Sequence, residues 1–162
     1  MEISIRRAKP GDMDALAALW NGLMLHHVKL YGRDKRAENH EFRKDAESIW
    51  RKWALKNIRS QNGLVLIAED GGRPVGYSLS LIKPNIPVFR IRKLGHMSDL
   101  YIRPGYRGKG IGTRFRDAAF RWFRKKGIRH ASIAVHALNP ASWKIYRKWG
   151  FSDYHMEMRR RL

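Results

Sequence analysis

The 162-residue chain contains no cysteine. Disulfides, thiolate metal ligands and a cysteine acyl-enzyme are excluded at once, and the lack of disulfides fits the cytoplasm. Long apolar runs are missing too. None approaches the roughly 18 residues of a membrane-spanning helix, and Met1-Glu-Ile-Ser-Ile-Arg-Arg has no apolar signal core. A cytoplasmic protein without a membrane partner is expected. Pro/Gly/Ser-rich linkers, repeats and low-complexity segments are absent, so residues 1–162 are expected to form one domain with a substantial core. Acidic residues are scarce: 14 Asp and Glu face 34 Lys and Arg, for a net charge of +20. Such a chain attracts polyanions. Along the sequence, however, the cations run from end to end, including outward helix positions (Arg114, Arg121, Arg124, Lys125) and the tail Arg159–Arg161. That distribution reads as a solvated face, leaving nucleic acid a possible but less favoured partner. The seven histidines are scattered, and His26-His27 are adjacent rather than at i, i+4, so no metal site is expected.

Hydrophobic periodicity divides the rest. Ile3-Ser-Ile-Arg alternates as a first strand. Asp12 stands at an N-cap position before Met13, Leu16, Leu19, Trp20 and Leu23, which recur at helical spacing. Residues 26–39 read as a loop, and Phe42 to Leu55 as a second helix. Leu64–Ala68 and Pro74–Ile82 form a hairpin through Asp70-Gly71-Gly72, and a fourth strand spans about Leu94 to Ile102. Ile111, Phe115, Ala118, Ala119 and Trp122 mark a third helix ending near Gly127. Ala131–Val135 reads as a strand, Asn139-Pro140 to Gly150 as a capped fourth helix, and Tyr154–Met158 as a last strand. The order β-α-α-β-β-β-α-β-α-β predicts an α/β fold: a mixed sheet with helices on both faces.

The densest information lies in Tyr101-Ile-Arg-Pro-Gly-Tyr-Arg-Gly-Lys-Gly-Ile-Gly-Thr-Arg-Phe115. A strand breaks at Pro104-Gly105, a glycine-rich turn follows, and a helix begins at Ile111. Unpaired N–H groups at a helix start attract phosphate. Gly108, Gly110 and Gly112 permit close backbone approach, and Arg107 and Lys109 add charge. The P-loop of nucleoside triphosphatases is excluded because it needs a Lys and a Ser or Thr directly after its last glycine, and Ile111 follows Gly110. The dinucleotide fingerprint is excluded by the G-x-G-x-G spacing and by the lack of an acidic residue about 20 positions on.

Arg107-Gly-Lys-Gly-Ile-Gly112 resembles the R-x-x-G-x-G/A acyl-CoA signature of the GCN5-related N-acetyltransferases (GNAT). The preceding Asp99-Leu-Tyr-Ile-Arg-Pro104 looks like that family's fourth strand. Asn139-Pro-Ala-Ser-Trp-Lys-Ile-Tyr146, closed by Gly150-Phe151, looks like its next signature. The resemblance implies a GNAT-like, mostly antiparallel central sheet and acetyl-CoA as cosubstrate, with no metal. It implies that backbone groups of Leu100, Tyr101 and Ile102 hold the pantetheine arm, and that Arg107, Gly108, Lys109, Gly110, Ile111, Gly112 and Thr113 hold the pyrophosphate. Asn139 would touch the coenzyme arm or simply cap its helix, and Tyr146 would protonate the departing thiolate.

The base departs from the family pattern, since Ser98 stands where several relatives carry Glu. Strand alternation puts His96 on the same face as Ser98 and Asp99 on the other, making His96 the candidate base. His26 and His27 are weaker candidates, and deprotonation through solvent stays open. The expected activity is acetyl transfer to an amine by direct attack in a ternary complex. The alternatives are a nucleic-acid-binding protein on the same fold and a non-catalytic acyl-CoA sensor. The acceptor is a small-molecule, peptide or protein amine, and a homodimer is possible. Asp34, Glu38, Glu41, Asp45 and Glu47 make the acceptor-side region acidic, and Lys35, Arg36, Arg43 and Lys44 nearly cancel it.

Overall fold

The computed structural model describes residues 2–32, 34 and 37–162, with Ala37 as backbone only. Five strands, β1 (Ile3–Arg7), β2 (Gly63–Asp70), β3 (Arg73–Pro84), β4 (Lys93–Ile102) and β5 (Ala131–Ile133), lie side by side in chain order. The first four are antiparallel, and β5 joins β4 in parallel. Four helices complete the fold: α1 (Met13–Tyr31), α2 (Ala46–Arg59), α3 (Ile111–Lys125) and α4 (Pro140–Lys148). The mixed, mostly antiparallel sheet expected from the sequence is present.

Alternation in β2 shows how the layers form. Val65 and Ile67 face one way and join Tyr77, Leu79 and Tyr101 under α1 and α2. Leu64, Leu66 and Ala68 face the other way and meet Phe115, Ala119 and Trp122 of α3. A sheet buried on both faces favours apolar residues at successive positions, which β2 carries, whereas β3 alternates Tyr77, Leu79 and Leu81 with the small residues Gly76, Ser78 and Ser80. No helix among the described residues is long and apolar enough to cross a membrane.

Three expectations change. First, α1 does not stop before His26 but runs to Tyr31, whose ring is buried between His40 and His136 at 4.5 and 4.0 Å. That anchor carries the helix through polar residues that its pattern alone would leave as loop. Arg33, Lys35 and Arg36 of the expected loop lie outside the described residues. Second, Asp12 occupies the N-cap position without capping α1. Its carboxylate accepts from the Lys9 N–H at 2.7 Å and from both terminal nitrogens of Arg6 at 2.8 Å. Third, Tyr154–Met158 forms no strand. Tyr154, Met156 and Met158 are 83–89% exposed, so the alternation buries neither face and no ladder rewards extension.

Candidate active site

The sheet opens where β4 and β5 part. β5 pairs with β4 only over Ala131–Ile133 against Gly95–Met97, while β4 continues to Ile102. Past Met97, β4 has β3 on one side and a gap on the other. The chain leaving β5 turns at His136–Asn139 and enters α4.

A bulge sits at the start of this gap. Leu79 pairs with Asp99 and Ser80 with Met97, so Ser98 is an extra residue on β4. One extra residue shifts the alternation of everything beyond it. The shift can be followed in the backbone. Gly95 N–H donates to His130 on the β5 side at 2.9 Å, whereas Arg103 N–H donates to Val75 in β3 at 2.9 Å. Counting back from Arg103 by twos, Tyr101 and Asp99 bond toward β3. Leu100 and Ile102 therefore direct their N–H and C=O groups into the gap. The Ile102 carbonyl accepts from Arg107 Nε at 2.9 Å, which ties the following loop to the strand edge.

The same bulge corrects the face assigned to Asp99. It shares a face with its partner Leu79, on the side of α1 and α2, as does His96 with Leu81. Asp99 Oδ2 accepts from Trp50 Nε1 at 3.0 Å and from the Tyr77 hydroxyl at 2.9 Å, and Oδ1 accepts from Ser98 Oγ at 3.2 Å. Burial raises its pKa above the ordinary carboxylate value, against the pull of these three donors. Reading the strand as a plain alternation missed Asp99, because a bulge is a property of the pairing and not of one strand.

The glycine loop follows directly. A short 3-10 turn, Pro104–Tyr106, leads to Gly108 and Gly110 at φ of 73° and 78°, a region where only glycine is unstrained. Gly110 caps α3 with no side-chain acceptor for the first-turn N–H groups. A Cβ placed on Gly105, Gly108 or Gly110 would meet nothing within 4 Å, so the backbone here faces open space and fits a phosphate lying against it. Arg107 lies over the Tyr101 ring at 5.8 Å, and Lys109 over Tyr106 at 5.4 Å. The Ile111 side chain is buried against the α3 core, which leaves only its backbone for a ligand; the Thr113 side chain is exposed.

On α4, Asn139 accepts from Ser142 N–H at 3.2 Å, so its capping role is established. Tyr146 lies two turns on, its ring 5.6 Å from Trp149. Burial raises its pKa above that of a free phenol, partly opposed by a hydrogen bond with Ser142, and it acts electrostatically on Tyr31 at the end of α1.

The histidines are placed differently from one another. His96 lies where β4 and β5 are still paired, with Nδ1 2.9 Å from Ser132 Oγ. Burial, and then Lys83, lower its pKa to about 4. It stands before the bulge, outside the gap. His27 stacks on Tyr31 at 5.5 Å, with its pKa lowered to about 4 by burial, and burial lowers His26 as well. No group of three or more metal-ligating side chains occurs among the described residues.

The sequence profile of the acetyltransferase (GNAT) family matches residues 26–151. The chain belongs to this family. An uncharacterized N-acetyltransferase of Methanocaldococcus jannaschii is 26% identical over 152 residues, or 93% of this chain, which spans 61% of that protein's length. The uncharacterized N-acetyltransferase YhfO of Bacillus subtilis is 24% identical over 153 residues, covering 93% of this chain and 91% of YhfO. Among solved structures, a predicted acetyltransferase of Clostridium acetobutylicum with acetyl-CoA superposes with a TM-score of 0.78 at 17% identity, over 99% of this chain and 96% of that one. The chain thus has the GNAT fold. Of the residues singled out by the resemblance, Leu100–Ile102 lie along one edge of the gap, the Arg107–Thr113 loop follows that strand, and Asn139 and Tyr146 lie on the segment that follows β5.

Proposed function

We propose that the protein transfers an acetyl group from acetyl-CoA to an amine by direct attack in a ternary complex. The observation that carries this reading is the gap itself. The bulge at Ser98 turns the N–H and C=O groups of Leu100 toward it, beside a helix start whose N–H groups face open space. The solved structure holding acetyl-CoA in the same fold supports the choice of donor.

Acetyl-CoA would supply the thioester and, on its cleavage, the thiol leaving group. The N–H groups of Gly108 to Thr113 would hold its pyrophosphate, with Lys109 adding positive charge. Leu100 N–H is directed where a thioester carbonyl could be polarised. Tyr146 stays protonated at neutral pH and is the proton donor for the sulfur. Asp99 is the amine-side carboxylate: raised in pKa and fixed by Trp50 and Tyr77, it orients the amine and takes its proton. The C–N bond forms, the C–S bond breaks, and the proton lost at nitrogen is balanced by the one given to sulfur. His96 lies before the bulge, so the amine-side role moves from it to Asp99.

A thiol-release assay over a panel of small amines, peptides and lysine-containing proteins tests this reading. Amine-dependent release with mass gain on the acceptor is expected. Binding of acetyl-CoA without release for any acceptor would instead make the protein a sensor.

A further inference from the structure

The fold gathers part of the chain's positive charge at one end of the sheet. Three stretches of more than about twenty residues carry no Asp or Glu: residues 48–68, 71–98 and 118–152. The fold brings parts of all three to one end of the sheet. α2 ends against the start of β2, where Gly63 lies on the Asn57 backbone and Ile82 N–H donates to Asn62. β3 and β4 turn over at this same end, with Pro84 opposite Lys93. α3 also ends here, with Phe123 over Gly95, and the chain re-enters at His130.

The side chains gathered there are cations. Lys56 and Arg59 close α2. Arg90, Arg92 and Lys93 rim the β3–β4 turn, a connection held in shape by Asn85, whose N–H and Nδ2 donate to Arg92 and Ile91 at 2.9 Å. Arg124, Lys125 and Lys126 finish α3, and Arg129 follows. All of these are exposed, and none forms an ion pair among the described residues. Several arginines elsewhere are neutralised: Arg6 by Asp12 and Glu69, Arg51 by Asp14 and Glu47, Arg147 by Asp153. A concentration of unpaired like charge opposes folding and invites a counter-charge. The glycine loop lies at the other end of β4 and α3, so this pole is separate from the acyl-CoA gap.

We propose that this pole docks the acetyltransferase on a nucleic-acid backbone while the acyl-CoA gap stays open. Half or more of the unpaired cations named are guanidinium groups, which bind phosphate oxygens bidentately. Their spread over three segments suits a row of phosphates better than a single small anion. Among the described residues, exposed large apolar side chains at this end are confined to the β3–β4 turn, at Ile86, Val88, Phe89 and Ile91, with Val88 84% exposed. A lipid-anchoring end would need apolar surface to match its charge, so the phosphodiester polymer is the favoured occupant.

The test measures anisotropy of labelled 20-base-pair DNA and 20-nucleotide RNA against salt, alongside vesicles of phosphatidylglycerol at matched phosphate. Intact protein should bind at least one polymer at about 10⁻⁶ M near physiological salt, the tight end of non-specific binding. The triple variant Arg90→Glu/Arg92→Glu/Arg124→Glu should bind at least about tenfold more weakly, with a log–log salt slope flatter by roughly 2–3. A control with the same charge change, Lys29→Glu/Lys44→Glu/Arg73→Glu, should move by less than about threefold. Calorimetric affinity for acetyl-CoA should be equal in all three proteins and unaffected by bound polymer. Binding to DNA, RNA or both carries the proposal and says which polymer is held. Equal losses in both triple variants, stronger retention on the vesicles, or displacement of polymer by acetyl-CoA would overturn it.

Discussion

Trp50 on α2 and Asp99 on β4 are joined by a 3.0 Å hydrogen bond from the indole nitrogen, and the same carboxylate oxygen receives the Tyr77 hydroxyl at 2.9 Å. The pair links the helical layer to the strand edge that borders the gap. Two neutral donors fix the carboxylate without neutralising it, and burial still holds its pKa above the ordinary value. A carboxylate in that state is a better base than a salt-bridged one.

Asp99→Asn keeps an oxygen for Trp50 and Tyr77 and removes the base. The folded protein should keep its urea midpoint within about 1 kcal/mol in stability, and acetyl-CoA affinity should be unchanged. Turnover should fall by roughly 10²–10⁴-fold. The wild type should lose activity as pH drops through the raised carboxylate pKa, and the variant should show no such acidic limb. An acidic limb that survives in Asp99→Asn would assign the titration, and the base, elsewhere.

What could be read in the sequence was what residue identity dictates locally. Gly108 and Gly110 permit the close backbone approach and the positive φ that this loop adopts, Asn139-Pro140 announces a helix start, and the Ile111–Trp122 stripe defines a buried helix face. The family signatures rest on those same residues. The bulge at Ser98 could not be read, because it exists only as a count of residues against β3. The face of Asp99 depended on it. Tyr31 holds the end of α1 through rings distant in sequence, and the Tyr154–Met158 alternation lacked a partner strand to make it a strand. The cationic pole was hidden for the same reason: three acid-free stretches become one surface only after the sheet brings their ends together.

Gly110 carries the loop geometry at φ 78°, with open space where a Cβ would stand. Gly110→Ala should cost about 1–2 kcal/mol of stability from the left-handed backbone alone. Gly110→Asp should cost about as much in stability and also abolish acetyl-CoA binding, since a negative side chain would enter the phosphate space. Calorimetry on both variants separates strain from charge. An Asp variant that is folded and binds as the wild type does would remove this loop from the coenzyme site.

Acid sensitivity should report on the Arg6–Asp12 pair. The Asp12 carboxyl is lowered to about 2, first by its hydrogen bonds with Arg6. A carboxylate depressed in the folded state stabilises the fold above its unfolded pKa, and that contribution is lost as pH falls from about 4 to about 2. Arg6 is partly exposed, so solvent screening holds the loss to about 1 kcal/mol. Urea midpoints measured from pH 5 to pH 2 should fall more steeply in the wild type than in Asp12→Asn. Parallel curves would show that the pair contributes nothing titratable.

Tyr146 is the last step of the proposed chemistry, and the most sharply testable. Its phenol is held protonated by burial, on a helix whose start is fixed by the Asn139 cap, and its ring packs at a tilt against Trp149. Tyr146→Phe preserves that packing and removes one oxygen. Stability should change little, and acetyl-CoA should bind about as before. Turnover should fall by roughly 10²–10⁴-fold when chemistry limits the rate. The loss should appear in kcat rather than KM, because the proton is needed only as the C–S bond breaks. A donor thioester whose leaving group needs no proton gives a further check: replacing acetyl-CoA by an acetyl thioester of lower thiol pKa should restore part of the lost rate in the variant and change the wild type much less. If the variant gains no more than the wild type, sulfur is protonated by water or by the amine's own proton, and Tyr146 serves only to pack α4.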